Sequence, residues 1–565
     1  MQISAFVRGQ PVRYVSAQSL SRDGGQRGVV GRGMKTTALL LLTVSLCSLD
    51  AAEPRAIPAR TRIVTDRGTE VRITTRAWAP EKSALIVCDF WDSHHCANAV
   101  KRVNEMAPRM AEVVRTARDM GVLIIHAPSD CMKTYDAHPA RKRAMDAPPA
   151  ANLPAKISEW LKWKNDAEEK AGYPIDASDG GSDDTPEEEA AWKEELKRQG
   201  RDTGHPWKGQ HPSVSVDAER DIISDKGVEV WNVLEARGIT QVFFAGVHTN
   251  MCVCGRPFGL RQLSNNGRDV VLLRDLTDTM YNPKKPPYVS HYRGTELMLA
   301  HIEQRICPTA LSSEIFGGAA HTFGDDKRPH MAVMIGEDEY KTWETLPAFL
   351  EKQIGQDVRI SFLVAAKEAP ASFYNTDALK SADALLVSVR RRIPPAAQTE
   401  ALRTFVARGG AVVGIRTASH AFAPRKGEAV PADAAAWPEW DEKVLGGNYS
   451  NHLGNDLKTF AKSAPGVTHP ILSGVPAAEW PTGGSLYRNS PLRGGAPVLL
   501  TGRAEGADNS EPVAWTHQSP GRGRVFYTSL GAPEDFARAE FQQLLRNAIH
   551  WALGREIPAA GMREK

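Results

Sequence analysis

Wholly apolar runs that break into polar turns mark strands buried on both faces of a parallel sheet, and one such run in this chain delivers a thiol. Val242-Phe-Phe-Ala-Gly-Val-His-Thr-Asn-Met-Cys-Val-Cys-Gly255 reads as a strand, a turn and the start of a helix, with Cys252 at the helix entry. A helix N-terminus carries partial positive charge and free N–H groups, so it lowers a thiol pKa and can hold an oxyanion. The competing use of Cys252 and Cys254 is structural, as small buried side chains.

Similar runs recur along the chain. Ala84–Cys88, Gly121–His126 and Gly267–Asp278 read as neighbouring strands, with Gly227–Ile239 as the helix that leads into the Cys252 strand. Met331–Glu339, Val358–Val364, Ala384–Val389 and Ala411–Ile415 form a second series, separated by helical segments such as Thr342–Gln353 and Pro395–Arg408. With 565 residues, this alternation predicts an α/β chain of two doubly wound parallel-sheet domains, each a three-layer α/β/α sandwich. The expected boundaries are an upstream extension and leader over 1–55, a first domain over 56–316, a glycine-rich linker over 317–328, a second domain over 329–556 and a tail over 557–565. The 70 basic and 67 acidic residues leave a net charge of +3, which gives no reason to expect a nucleic-acid partner.

Met34-Lys-Thr-Thr-Ala-Leu-Leu-Leu-Leu-Thr-Val-Ser-Leu-Cys-Ser48 has a basic start, a short apolar run and small residues after it. That pattern predicts a secretory signal peptide starting at Met34, hence a periplasmic or secreted protein with no integral membrane segment after cleavage. Export permits disulfides, but a Cys252–Cys254 bridge would be badly strained.

Gly246-Val-His-Thr-Asn-Met-Cys-Val253 resembles the nucleophile motif of the isochorismatase-like cysteine hydrolases, and Ala84-Leu-Ile-Val-Cys-Asp-Phe-Trp-Asp92 resembles their first strand with its terminal aspartate. The resemblance covers about Ile63 to Pro308. It implies Cys252 as nucleophile and Asp89 as general base, in a cofactor-free hydrolase of small amides or ureido compounds. Trp91, Asp92, His126, His248 and Thr249 are the expected substrate-binding residues, since ligands sit outside the C-terminal ends of parallel strands. Asp136-Ala-His-Pro139 is similar to a metal-binding element of nicotinamidases but stands about ten residues from the preceding strand, so no metal is expected. Where the family carries its catalytic lysine this chain has Val214-Ser-Val-Asp-Ala-Glu-Arg-Asp221, an acid at the equivalent position. Such an acid would raise the thiol pKa. Lys226 is the candidate to supply the cation, with Lys208, His211 and His248 as the other groups that could compensate.

Residues 149–210 are an insertion relative to a compact family member. Ala155–Lys170 shows helical spacing, Thr185-Pro-Glu-Glu188 is a capping box that opens a helix, and Asp176–Asp184 reads as a solvated acidic loop. Trp160, Trp163, Trp192 and Trp207 in this charged segment predict a flap anchored by aromatic rings, acting as a lid over Cys252.

The second domain resembles the trehalose-utilisation, or ThuA-like, family, whose fold is related to class I glutamine amidotransferases. The matching words are Gly414-Ile-Arg-Thr-Ala-Ser-His-Ala-Phe422, Trp440-Asp-Glu-Lys-Val-Leu-Gly-Gly-Asn-Tyr449 with His452, and Pro512-Val-Ala-Trp515 leading to Gly523–Gly531. This half contains no cysteine, which excludes glutaminase chemistry there. Arg416, Ser419, His420 and His452 are expected to line a polar pocket suited to a sugar or a carboxylate. Two functions follow: an exported cysteine hydrolase acting on a small-molecule substrate, or a non-catalytic carbohydrate-binding or scavenging protein with a degenerate hydrolase half. Either is compatible with a homo-oligomer.

Overall fold

The computed structural model describes residues 55–558, apart from 367, 455 and 508. The expected leader, Met34–Ser48, lies outside the described residues. No described helix is long and apolar enough to cross a membrane.

The first sheet contains β1 (Arg55–Thr65), β2 (Gly68–Trp78), β3 (Ser83–Cys88), β4 (Leu123–Ala127), β5 (Ile222–Ile223), β6 (Gln241–Val247), β7 (Asp269–Asp278) and β8 (Thr309–Ala310). Its order is β2-β1-β8-β7-β6-β3-β4-β5, with β3 to β8 parallel and the β1–β2 hairpin antiparallel along the β8 edge. Every residue of β3 and β6 is buried, as their unbroken apolar runs require. Counting parallel strands alone, the order reverses between β3 and β6, the switch point outside which such sheets bind ligands. Asp89 follows β3, and Cys252 follows β6.

The second sheet has ten strands: β9 (His330–Gly336), β10 (Arg359–Ala366), β11 (Ala369–Phe373), β12 (Ala384–Val389), β13 (Ala411–Ile415), β15 (Thr459–Ser463), β16 (Trp480–Thr482), β18 (Val498–Ala504), β19 (Glu511–Gln518) and β20 (Arg524–Thr528). β14 (Asn451–His452) and β17 (Tyr487–Arg488) pair separately. Five strands, β10-β9-β12-β13-β20, form the expected parallel core. The rest of this sheet runs antiparallel, through β19, β18, β15 and β16 on one side and β11 on the other. Both domains are therefore mixed α/β sheets rather than purely parallel ones.

The β1–β2 hairpin belongs to the first sheet but packs on the second domain. Val71 of β2 is buried in the same apolar cluster as Leu346, Phe349 and Leu350 of helix Thr342–Gln353. At the hairpin turn, a Cβ on Gly68 would lie 2.7 Å from the Glu344 carbonyl oxygen and 2.9 Å from Ala348 Cβ. Arg62 of β1 bonds Glu303 at 2.7 Å and also pairs with Glu351 of that helix.

The insertion is less helical than its spacing suggests. Within Ala155–Lys170, only the segment from Asp166 is α-helical, as part of Asp166–Ala171. Pro186–Arg198 forms with both capping-box bonds made, Glu188 N to Thr185 Oγ1 at 3.2 Å and Thr185 N to Glu188 Oε2 at 2.8 Å. The acidic loop is not simply solvated. Asp184 accepts hydrogen bonds from Ala97 N (2.7 Å) and Asn98 N (2.9 Å) at the start of helix Ala97–Asp119, and Asp183 pairs with Arg102 at 2.8 Å.

Candidate active site

Asp89 sits in a turn with φ of +46°, its carboxylate fully buried. It accepts a hydrogen bond from Ser129 N at 2.8 Å and one from Arg256 Nε at 3.0 Å. After burial, Asp89 and Arg256 are the groups that act most on the Cys252 thiol, the carboxylate raising its pKa and the guanidinium lowering it. Cys252 lies not in a long helix but in the short helical turn Thr249–Val253, and Arg256 N donates to the Cys252 carbonyl at 3.0 Å. One helical turn thus separates nucleophile and guanidinium. Gly246 lets the two strands close on each other at this point: its φ is +119°, and a Cβ there would lie 1.9 Å from the Cys88 carbonyl oxygen.

Charge at the site is balanced locally. Burial raises the Asp89 pKa, and Arg256 and the Ser129 hydrogen bonds oppose that rise. Burial and then the Asp89 carboxylate hold the Cys252 thiol well above its ordinary value, while Arg256 pulls it down. Arg256 remains charged in every state of the site, so it can stabilise anions but not shuttle protons. It also pairs with Asp130 at 3.3 Å and lies over the Trp160 ring at 5.5 Å.

This geometry corrects the assignment of the cation. Lys226 precedes helix Gly227–Ala236 with its side chain 62 % exposed and 3.8 Å from Glu229, so it is spent on the surface. The acids nearest the family's lysine position, Asp217 and Glu219, are not among the groups that act most on the thiol either. Asp217 is half-buried, and its hydrogen bond with Arg220 pulls its pKa down to about 2. Arg256 was not singled out from the sequence; the signal available was a basic residue one turn beyond the nucleophile.

The expected substrate-binding residues divide. Asp89, Trp91, Ser93, His94 and His248 line a cavity of about 10 Å³, room for roughly one water-sized group. Ser93 Oγ and His248 Nδ1 are buried there without a hydrogen-bond partner. Burial lowers the His248 pKa to about 4, so the ring is neutral. Trp91 stacks on Trp207 at 4.6 Å, and His94 meets His248 at 4.9 Å. Thr249 is buried and bonds Thr277 at 2.7 Å. His126 cannot contact a ligand, because it is fully buried with its ring nitrogens engaged by Asp221 (2.9 Å) and Gln210 (3.0 Å). Asp92 instead fastens the end of the insertion, pairing with Arg201 at 2.9 Å and accepting from Lys208 N at 2.9 Å. In the nicotinamidase-like element, His138 caps helix Pro139–Met145 through Ala140 N at 3.2 Å.

The insertion's tryptophans all find partners on the first domain. Trp192 Nε1 donates to the His94 carbonyl at 2.8 Å, and the Trp163 ring stacks edge-on to Tyr173 at 5.1 Å beside Arg261. Trp160 packs on Gly255, where Leu161 N bonds the Gly255 carbonyl at 2.9 Å.

In the second domain, Arg416, Ser419 and His420 follow β13. Arg416 is fully buried and spends its terminal nitrogens on the Ser529 carbonyl (2.6 Å) and the Ser485 carbonyl (3.2 Å), which makes it a brace rather than a ligand contact. Ser419 Oγ lies 3.1 Å from His420 Nδ1, and His420 stacks on Tyr449 at 4.6 Å. Burial, with Arg391 and Arg390 nearby, lowers the His420 pKa to about 3. His452 is exposed, 6.2 Å from the Tyr487 ring.

Fold and site together describe a two-domain α/β protein with a thiol, a carboxylate and a guanidinium at the switch point of its first sheet. Residues 335–552 match the ThuA family, described as trehalose utilisation, so the C-terminal half carries a ThuA domain. The N-terminal half is similar in structure to isochorismatase-family cysteine hydrolases. A cysteine hydrolase from Pseudomonas syringae pv. phaseolicola is 16 % identical, over 42 % of this chain and 92 % of that one, at TM-score 0.26. N-carbamoylsarcosine amidase from Thermoplasma acidophilum is 14 % identical, over 41 % and 98 %, at TM-score 0.23. A thua-like protein from Parabacteroides merdae is 17 % identical, over 41 % and 93 %, at TM-score 0.29. No curated protein matches the chain in sequence.

Proposed function

We propose that the protein is an exported cysteine hydrolase that cleaves a C–N bond of a small amide or ureido compound. The observation that carries this reading is the meeting of Cys252, Asp89 and Arg256 at the end of β3 and β6. Asp89 takes the thiol proton as sulfur attacks the carbonyl carbon, and the raised carboxylate pKa makes it a better base than a solvated aspartate. Main-chain N–H groups of the nucleophile turn hold the oxyanion, with Arg256 neutralising the charge that the sulfur brings. Protonated Asp89 then returns its proton to the departing nitrogen. The thioester is hydrolysed by a water that Asp89 deprotonates, which releases the acid and regenerates the thiol. The narrow pocket beside Asp89 limits the substrate to a compact group, and neutral His248 and Ser93 are the polar atoms placed to orient it.

In the ThuA half, we assign a sugar-binding role to the face around His420, Tyr449 and Tyr487, with His452 at its exposed rim. Export rests on the leader at Met34 and is checked by N-terminal sequencing of the mature protein.

The test of the catalytic reading is a panel of small amides and ureido compounds together with iodoacetamide labelling at neutral pH. Cys252→Ala should abolish hydrolysis and remove the fastest-labelled site. Cys254→Ser should retain activity, since Cys254 lies within the core cluster and makes no bond to Asp89. Equal loss from both substitutions would remove Cys252 from the role of nucleophile.

A further inference from the structure

Between the two domains lies a cavity of about 180 Å³. From the first domain it is lined by Arg60 of β1, by Arg274 and Thr277 of β7, and by His321 of the connecting segment. Arg359 and Ser361 at the start of β10 close it from the second.

The carboxylates around this cavity are already engaged. Asp275 accepts from Ser312 N (2.7 Å), Ser312 Oγ (2.6 Å) and His321 N (3.1 Å). Glu296 and Asp326 each hold Arg328 at 2.7 Å. Glu303, behind the wall, is shared between Arg60 and Arg62, each at 2.7 Å. The cations are not matched in the same way. Arg274 is nine-tenths buried, and among the described residues its one carboxylate contact is Glu314 at 3.5 Å and its buried Nη1 has no partner. Arg359 forms no ion pair among the described residues. His321 Nε2 is likewise buried and unpartnered. A buried polar atom left unmatched is costly, and Arg274 Nη1 and His321 Nε2 belong to the lining of the same cavity that the part-exposed Arg359 closes from the second domain.

We propose that this cavity binds a small oxyanion, a carboxylate or a phosphate, clamped between Arg274 of the first domain and Arg359 of the second, with His321 as a further donor. Burial makes the positive charge there less favourable without removing it: it depresses the Arg359 pKa, and burial followed by the neighbouring Arg274 pushes Arg60 down to about 10. An anion would relieve that strain. Arginine suits it, because the planar guanidinium matches both oxyanions in a two-point grip. The cavity volume limits the ligand to something near the size of inorganic phosphate or a short dicarboxylate. Because it would touch both domains, the ligand would tie them together.

Thermal unfolding tests this without any knowledge of substrate. Inorganic phosphate and malonate are titrated separately into the full chain, each against sodium chloride at matched ionic strength. At least one should raise Tm saturably, by the mass-action amount expected for a ligand that binds only the folded state. The rise should disappear in Arg359→Gln and in Arg274→Gln, and persist in Arg390→Gln, which lies elsewhere in the second domain. A shift with phosphate alone identifies a phosphate site, and a shift with both identifies a general oxyanion site. Arg359 is part-exposed, so Arg359→Gln decides the matter if Arg274→Gln does not fold. No shift beyond the chloride control, or an equal shift in parent and Arg359→Gln, overturns the proposal.

Discussion

On the proposed reading Arg256 takes the part that the resemblance gives to a lysine, and the exchange has consequences at the level of one side chain. A lysine can lose its proton near neutrality when buried, whereas a guanidinium cannot, so in this site Asp89 alone must handle protons. Removing the cation should therefore act twice. Arg256→Gln leaves the buried Asp89 without its opposing charge, so the carboxylate titrates at still higher pH. The same change takes away the partner that lowers the Cys252 thiol. The base works ionised, so activity falls as pH falls through the Asp89 pKa, and that acid limb should move upward in the variant. Iodoacetamide labelling of Cys252 should slow at every pH below the thiol pKa, and hydrolysis should drop by roughly a hundredfold or more. Arg256→Lys should recover part of both, being a cation of different geometry. An unchanged acid limb and labelling rate in Arg256→Gln would reduce Arg256 to a packing residue. Asp89→Asn removes the base itself, with an expected loss of roughly a hundredfold or more in kcat/KM.

At the scale of elements, the words that end strands were legible in the sequence, and the contacts made by loops were not. The runs Ala84–Cys88 and Val242–Val247 are buried strands because no polar residue interrupts them, and their order fixes Asp89 and Cys252 on adjacent strand ends. Lys226 looked suitable only by distance along the chain; the structure spends it on Glu229, because its helix starts at the surface. His126 stands at the end of an apolar run and reads as pocket-facing, yet Asp221 and Gln210 hold it inside. The antiparallel part of the second sheet, β15, β16, β18 and β19, was missed because glycine- and proline-rich segments, not α-helices, connect these strands, so the strand-helix alternation that marks the parallel core is absent. The insertion's tryptophans announced an apolar surface without revealing which one. Trp207 covers Trp91, beside the Asp89 cavity, so Trp207→Ala should open that wall. The expected result is faster alkylation of Cys252 and hydrolysis of bulkier amides than the parent accepts. Unaltered labelling and an unaltered substrate range would make the insertion a structural appendage instead of a lid.

For the molecule as a whole, the domain boundary in sequence is not the boundary in packing. The β1–β2 hairpin hydrogen-bonds into the first sheet through Arg60 and Thr309, but Val71 is buried among Leu346, Phe349 and Leu350 of the second domain. Arg62 adds ion pairs to Glu303 on one side and Glu351 on the other, so its buried charge is matched only when both domains are in place. A hairpin shared in this way couples the two cores. The ThuA half cut free at residue 329 would expose the apolar face of helix Thr342–Gln353, and it should be less stable and more prone to aggregate than the same half within the full chain. Val71→Ala isolates the effect with a small change. Losing two methyl groups from a filled core should cost roughly 2 kcal/mol. Because the lost contacts belong to the second domain's cluster, the loss should appear in unfolding of that domain, although the substitution lies in the first. Urea unfolding followed by tryptophan fluorescence, compared between the parent, Val71→Ala and residues 329–558 alone, measures it. If Val71→Ala leaves the second domain's midpoint where it was, the hairpin merely rests against that domain and the two cores are independent.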